Sequence, residues 1–301
     1  MNLHKDKEAF DAAIKATSRY FNFSPAIFEK DYYVTLVLLE LTNKVPGLVF
    51  KGGTSLSKCY KLIDRFSEDI DITLEKEYQT QKQKRNLKYK IVDICKDLNL
   101  NLLNEKDTRS RRDYNCYIID YSANFDYVGV NPQLLIETVF IVTSFPVEIK
   151  KASSMIYDYL KSIGNEKAIS NYKLEPFDIK VQTLERTLVD KVFAICDYML
   201  DGKLEKHSRH IYDISRLLKF VSLNDELKTL INDVRIERKN GTKCYSAKDG
   251  VVVSDLLQMI IDSNCFRKDY ENTTEKLLSK VVTYDEAIKS LKTIIESGIF
   301  E

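Results

Sequence analysis

Two aspartates one residue apart, Asp69-Ile70-Asp71, lie in a strictly alternating run that puts Ile70, Ile72 and Leu74 on one face and Asp71 and Thr73 on the other. Alternate residues of a strand project the same way, with Cα atoms roughly 6.5 Å apart, so Asp69 shares the face of Asp71. Two anions that close repel each other, and a hard divalent cation with oxygen ligands gives the strand a reason to keep them. Upstream, the short strand expected over 47–50 ends at Gly52-Gly53 and turns straight into a helix expected over 54–63. Such a turn aims unpaired N–H groups and the positive end of the helix dipole outward, which suits an anion. Glycine lets the backbone approach a phosphate closely, and the Thr54 and Ser55 hydroxyls add donors. A third carboxylate is conspicuous: Glu137 is the only charge in LLIETVFIV, residues 134–142.

These residues need elements to carry them. Helices are expected over 6–20, over 25–39 with Ser24 as cap and Pro25 at the first turn, and over 77–98. Strands are expected over 69–74, 114–121 and 134–143, with 177–181 as the last. Beyond residue 180 the period is helical, over 184–200, 209–221, 223–234, 251–263, 270–282 and 284–297. The reading is an α+β fold, a mixed sheet flanked by helices and followed by a C-terminal helical bundle, with domains at 1–180 and 181–301.

Composition narrows the chemistry. Lysine plus arginine total 46 against 45 acidic residues, so no global field draws nucleic acid or an anionic membrane, and any such contact is local. The basic stretches are KDTRSRRD at 106–113 and the group Lys203, Lys206, His207, Arg209 and His210, and some of the eighteen tyrosines could stack on bases. Six cysteines without a CxxC read as core thiols of a reducing compartment, and three histidines favour oxygen ligands for any metal. The first twenty residues carry too much charge for a signal peptide, and no apolar run reaches the roughly 20 residues of a span. A cytoplasmic protein with no membrane contact is expected, as a monomer.

The order strand, GG[ST] turn, helix, DxD strand resembles the nucleotidyltransferase superfamily with its polymerase-beta-like core. More narrowly, KGGTSLSK at 51–58 followed by RFSEDIDIT at 65–73 resembles the AbiEii/AbiGii toxin family of type IV toxin–antitoxin and abortive-infection systems. FEKDYYVTLVLLEL at 28–41, TLERTLVDKVFAI at 183–195 and RHIYDISRLL at 209–218 are similar to further family motifs, in order. The resemblance implies Mg2+ or Mn2+ held by Asp69, Asp71 and Glu137, with Glu137 either completing a metal site or taking the hydroxyl proton. It implies an NTP substrate held by Lys51, Gly52, Gly53, Thr54 and Ser55, with Arg65 and Ser67 contacting phosphate or bracing the loop. Lys191 and Asp213 match the family's downstream lysine and aspartate, which it implies face the nucleotide across a cleft closed by the helical domain. His210 stands where an aspartate-type residue is common. The Glu29-Lys30-Asp31 run falls on one helical turn; charge runs are usually solvated, and the resemblance favours a structural role under the active-site turn. The implied activity is transfer of NMP from an NTP to RNA, by analogy the 3′ end of tRNA, blocking translation, with an antitoxin as partner. The alternatives are nucleotidylation of a protein hydroxyl, or a non-catalytic nucleotide-binding module.

Overall fold

The computed structural model describes residues 1–125 and 132–301. In chain order its elements begin with α1 (Lys7–Phe21), α2 (Pro25–Lys44), β1 (Leu48–Lys51), α3 (Gly52–Lys58), β2 (Ile70–Leu74), α4 (Gln81–Asp97), β3 (Asn101–Leu102), β4 (Tyr114–Asp120) and β5 (Gln133–Val139). They continue with β6 (Val147–Ala152), α5 (Met155–Ser162), α6 (Glu166–Tyr172), β7 (Phe177–Gln182), α7 (Leu184–Leu200), α8 (Arg209–Leu217), α9 (Asp225–Arg238) and α10 (Val253–Ser263). The last are α11 (Arg267–Asp269), α12 (Tyr284–Ala287) and α13 (Lys289–Glu296).

Two compact units emerge. One comprises Met1–Tyr60, Ser67–Phe140 and Val147–Val181, the other Lys61–Phe66, Ile141–Pro146 and Gln182–Glu301. The first is built on a seven-stranded sheet in the order β3-β4-β5-β2-β1-β7-β6. β1 runs antiparallel to β2 and parallel to β7, β2 runs parallel to β5, and β4 is antiparallel to both β3 and β5. Alternation divides the sheet's faces. Phe50, Ile70, Ile72, Leu74, Leu134 and Ile136 are buried in one cluster with Phe28, Tyr32 and Leu36 of α2 and Leu87 and Ile91 of α4. The other face is more polar and carries Asp71 and Glu137.

The second unit is helical. α7 packs on α8, α9 and α10, and α13 packs on α8 and α10. Its interior holds Leu188, Val192, Phe193, Ile211, Ile214, Leu217, Ile231, Leu257, Leu291 and Phe300, all buried.

Several elements differ from their sequence expectation, each for a local reason. The helix expected over 54–63 stops at Lys58, because Lys61 adopts a left-handed φ of 53° and turns the chain away. Ser24 precedes α2 without a side-chain capping bond. β5 ends at Val139 rather than 143, and the helix expected over 270–282 is a π turn, Tyr270–Thr274, followed by a 3-10 turn, Glu275–Leu277. There Leu278 forms a β-bridge with Arg65 instead. β6 was not expected, since VEIKKA offers only a weak apolar alternation at a sheet edge. α5 and α6 are likewise additions.

Candidate active site

Sheet register builds the site. Lys51 pairs with Asp71, Asp71 with Glu137, and Glu137 with Cys116, forming one row across β1, β2, β5 and β4. Cross-strand partners share a face, so the four side chains leave the sheet on the same side. Adjacent strands lie about 4.8 Å apart, and two unit charges roughly 5 Å apart repel by on the order of 3 kcal/mol at an effective dielectric of 20. Lys51, next to Asp71 in the same row, brings positive charge against that repulsion.

Tyr114 and Cys116 report on this charge. The Tyr114 phenol is hydrogen-bonded to Glu137; burial first, then that carboxylate, push its pKa well up. Burial pushes the Cys116 thiol up to about 11, and the charges of Glu137, Asp69 and Asp71 add to the effect. All three acids therefore act on one thiol. Both Tyr114 and Cys116 escaped the sequence reading, although their i, i+2 spacing on β4 places them on a common face.

The glycine corner abuts this row. Gly52 has φ +76°, where side chains are strained, and a Cβ there would fall 1.9 Å from Asp71 Oδ2. Gly52 is thus the residue that lets the corner and the carboxylate touch. Gly53 follows in the first turn of α3. Thr54 and Ser55 are fully buried: the Ser55 hydroxyl donates to the Gly52 carbonyl at 2.8 Å, and the Thr54 hydroxyl lies 2.9 Å from that of Ser67. The latter bond ties the corner to the segment leading into β2.

The charged run at 29–31 is not a solvated face. Glu29 is fully buried and accepts from the Asn124 and Phe125 backbone N–H groups. Lys30 pairs with Glu68 at 2.7 Å. Asp31 accepts from Lys58 at 2.5 Å and from the Met155 N–H at 2.7 Å.

Lys191, Asp213 and Arg65 converge within the second unit. Asp213 is fully buried and accepts from Arg65 Nε at 2.7 Å, Arg65 Nη2 at 2.8 Å and Lys191 Nζ at 2.6 Å. Burial alone would raise the Asp213 carboxyl, but Arg65 and Lys191 outweigh it and hold it well below its ordinary value. Burial, partly opposed by Asp213, pulls Lys191 below its own ordinary value. Burial, then the cations Lys191 and Arg209, pull His210 well below its ordinary value, while the His207 ring stacks on Tyr198 at 3.5 Å. Among the described residues, no three His, Cys, Asp or Glu side chains form a group that could hold a metal ion as they stand. All six cysteines are free thiols. Among the described residues no helix is long and apolar enough to cross a membrane.

Residues 36–292, which include the mixed sheet, the glycine corner and the DxD strand, match the family described as "Nucleotidyl transferase AbiEii toxin, Type IV TA system". The chain belongs to that family. It is therefore a nucleotidyltransferase toxin of a type IV toxin–antitoxin system, which implies an NTP substrate and an antitoxin partner. The fold is shared with MenT4, a nucleotidyltransferase toxin from Mycobacterium tuberculosis, at 14% identity and a TM-score of 0.50, over 95% of this chain and 97% of that one. No curated protein sequence matches this chain.

Proposed function

We propose that the protein transfers NMP from an NTP to an RNA acceptor, the 3′ end of tRNA, and so blocks translation in the cytoplasm. The observation that carries this reading is the placement of Asp71 against Gly52 and in register with Glu137, which sets a phosphate-compatible backbone corner beside a carboxylate row. The donor set fits a divalent cation such as Mg2+: Asp69 and Asp71 are hard oxygen ligands two residues apart, and their mutual repulsion favours a cation between them. When bound, that cation would offset charge on the reacting phosphate and the leaving pyrophosphate.

The chain's own residues do the rest. The acceptor hydroxyl attacks the α-phosphorus, the bond to the β-phosphate oxygen breaks, and pyrophosphate departs with its electron pair. Glu137 takes the hydroxyl proton; its bond to Tyr114 fixes the carboxylate's orientation. Lys51 adds positive charge beside Asp71 in the same row. Lys191, bonded to Asp213 within the second unit, is the family-motif lysine that the resemblance assigns to phosphate charge, a task that suits a compact ammonium.

Incubation with labelled NTP, Mg2+ and total tRNA tests this. Wild type labels the RNA, while Asp69→Ala and Asp71→Ala each lose at least a hundredfold in rate with melting temperatures no lower than wild type. Labelling by either variant at the wild-type rate overturns the catalytic reading. Label found in protein instead of tRNA overturns the acceptor.

A further inference from the structure

We propose that Lys30 is a positioning residue for nucleotidyl transfer: by holding Glu68 on the helix-covered face of the sheet, it turns Asp69 to the opposite face, where Asp71 and Glu137 stand. The inference rests on the reading of the carboxylate row as the reactive centre. Period-two alternation supplies its logic. Residues 68, 70 and 72 of an extended chain project one way and 69 and 71 the other. Ile70 and Ile72 are fully buried in the cluster that includes α2, so Glu68 extends that face toward α2. Lys30 meets it there at 2.7 Å, and is itself only 3% exposed. Asp69, on the other face, acts on the Cys116 thiol together with Glu137 and Asp71.

Asp69 immediately precedes β2, which begins at Ile70. The ion pair of buried Lys30 with half-buried Glu68 therefore acts one peptide away from Asp69. The adjoining residue on α2 steadies the other half of the site. Asp31 and Thr35 accept from the Lys58 ammonium at 2.5 and 2.6 Å, and Lys58 ends the helix that begins at Gly52. Neighbouring residues of one helical turn thus fasten both segments that carry the site.

An ion pair with a purely structural role would change stability alone, whereas this one must change affinity for the metal–nucleotide complex. The test measures the Kd of wild type and variants for Mn·NTP by titration, the rate of label transfer to tRNA, and the melting temperature. Lys30→Met is expected to weaken Mn·NTP binding about tenfold and to slow transfer further. Lys30→Arg is expected to stay near wild type, and the exchanged pair Lys30→Glu with Glu68→Lys to recover most of the loss seen in either single variant. Wild-type affinity in a folded Lys30→Met protein overturns the proposal, as does an exchanged pair no better than its worse single member. Should wild type label no RNA, the acceptor assignment fails, while the Mn·NTP titrations still decide the role of Lys30.

Discussion

Gly52 and Asp71 are in contact through space that any β-carbon would fill, with the position of such an atom only 1.9 Å from Asp71 Oδ2. This makes glycine obligatory at residue 52 for two separable reasons, backbone conformation and carboxylate placement.

Gly52→Ala should therefore lose activity out of proportion to stability. The left-handed φ costs roughly 1–2 kcal/mol, which thermal melting will register as a modest fall. Displacement of Asp71 should cost at least a hundredfold in transfer rate. A fully active Gly52→Ala protein would refute the contact.

Asp213 should anchor the second unit's charges. Asp213→Asn leaves Arg65 and Lys191 as buried cations without their carboxylate, and breaking such a pair costs roughly 3–5 kcal/mol. The pH dependence has a definite sign. A carboxyl held below its ordinary value of 3.8 contributes full stability above that value and loses it as the pH falls toward the folded-state value. Melting temperatures measured across roughly pH 2–5 should fall more steeply with acidification for wild type than for Asp213→Asn.

Cys116 should be a built-in reporter of the carboxylate row. With its thiol pushed up to about 11, very little thiolate exists at pH 8, and alkylation should be slow. Removing Glu137 or Asp69 charge by Glu137→Gln or Asp69→Asn should speed labelling of the Cys116 peptide, read by mass mapping because Cys59 and Cys265 are also partly exposed. Unchanged labelling in both variants would mean that the acids do not converge on the thiol.

Much of the carboxylate-bearing face is legible in the sequence because strand alternation is a local pattern. Asp69, Asp71 and the apolar partners Ile70, Ile72 and Leu74 can be assigned to faces from spacing alone, and α7 was bounded at Leu184–Leu200 by its apolar period. Glu137 stood out by charge contrast within β5, but its register against Asp71 is a long-range pairing that no local pattern encodes. The same holds for Lys30 with Glu68, Asp31 with Lys58 and Arg65 with Asp213. On a helix wheel Glu29, Lys30 and Asp31 look like solvent-facing charge; only the tertiary partners make their burial tolerable. β6 and the end of α3 were missed because a left-handed residue and an edge strand leave little periodic trace.

The parallel pairing of β2 with β5 carries a consequence for the cell that makes the protein. Asp71 and Glu137 come from distant parts of the chain, so a nascent polypeptide presents two acids well before the third has left the ribosome. A single-residue slip in that pairing would point Glu137 into the apolar interior. The carboxylate row is therefore assembled only by completion of the sheet, after all three acids have been synthesised.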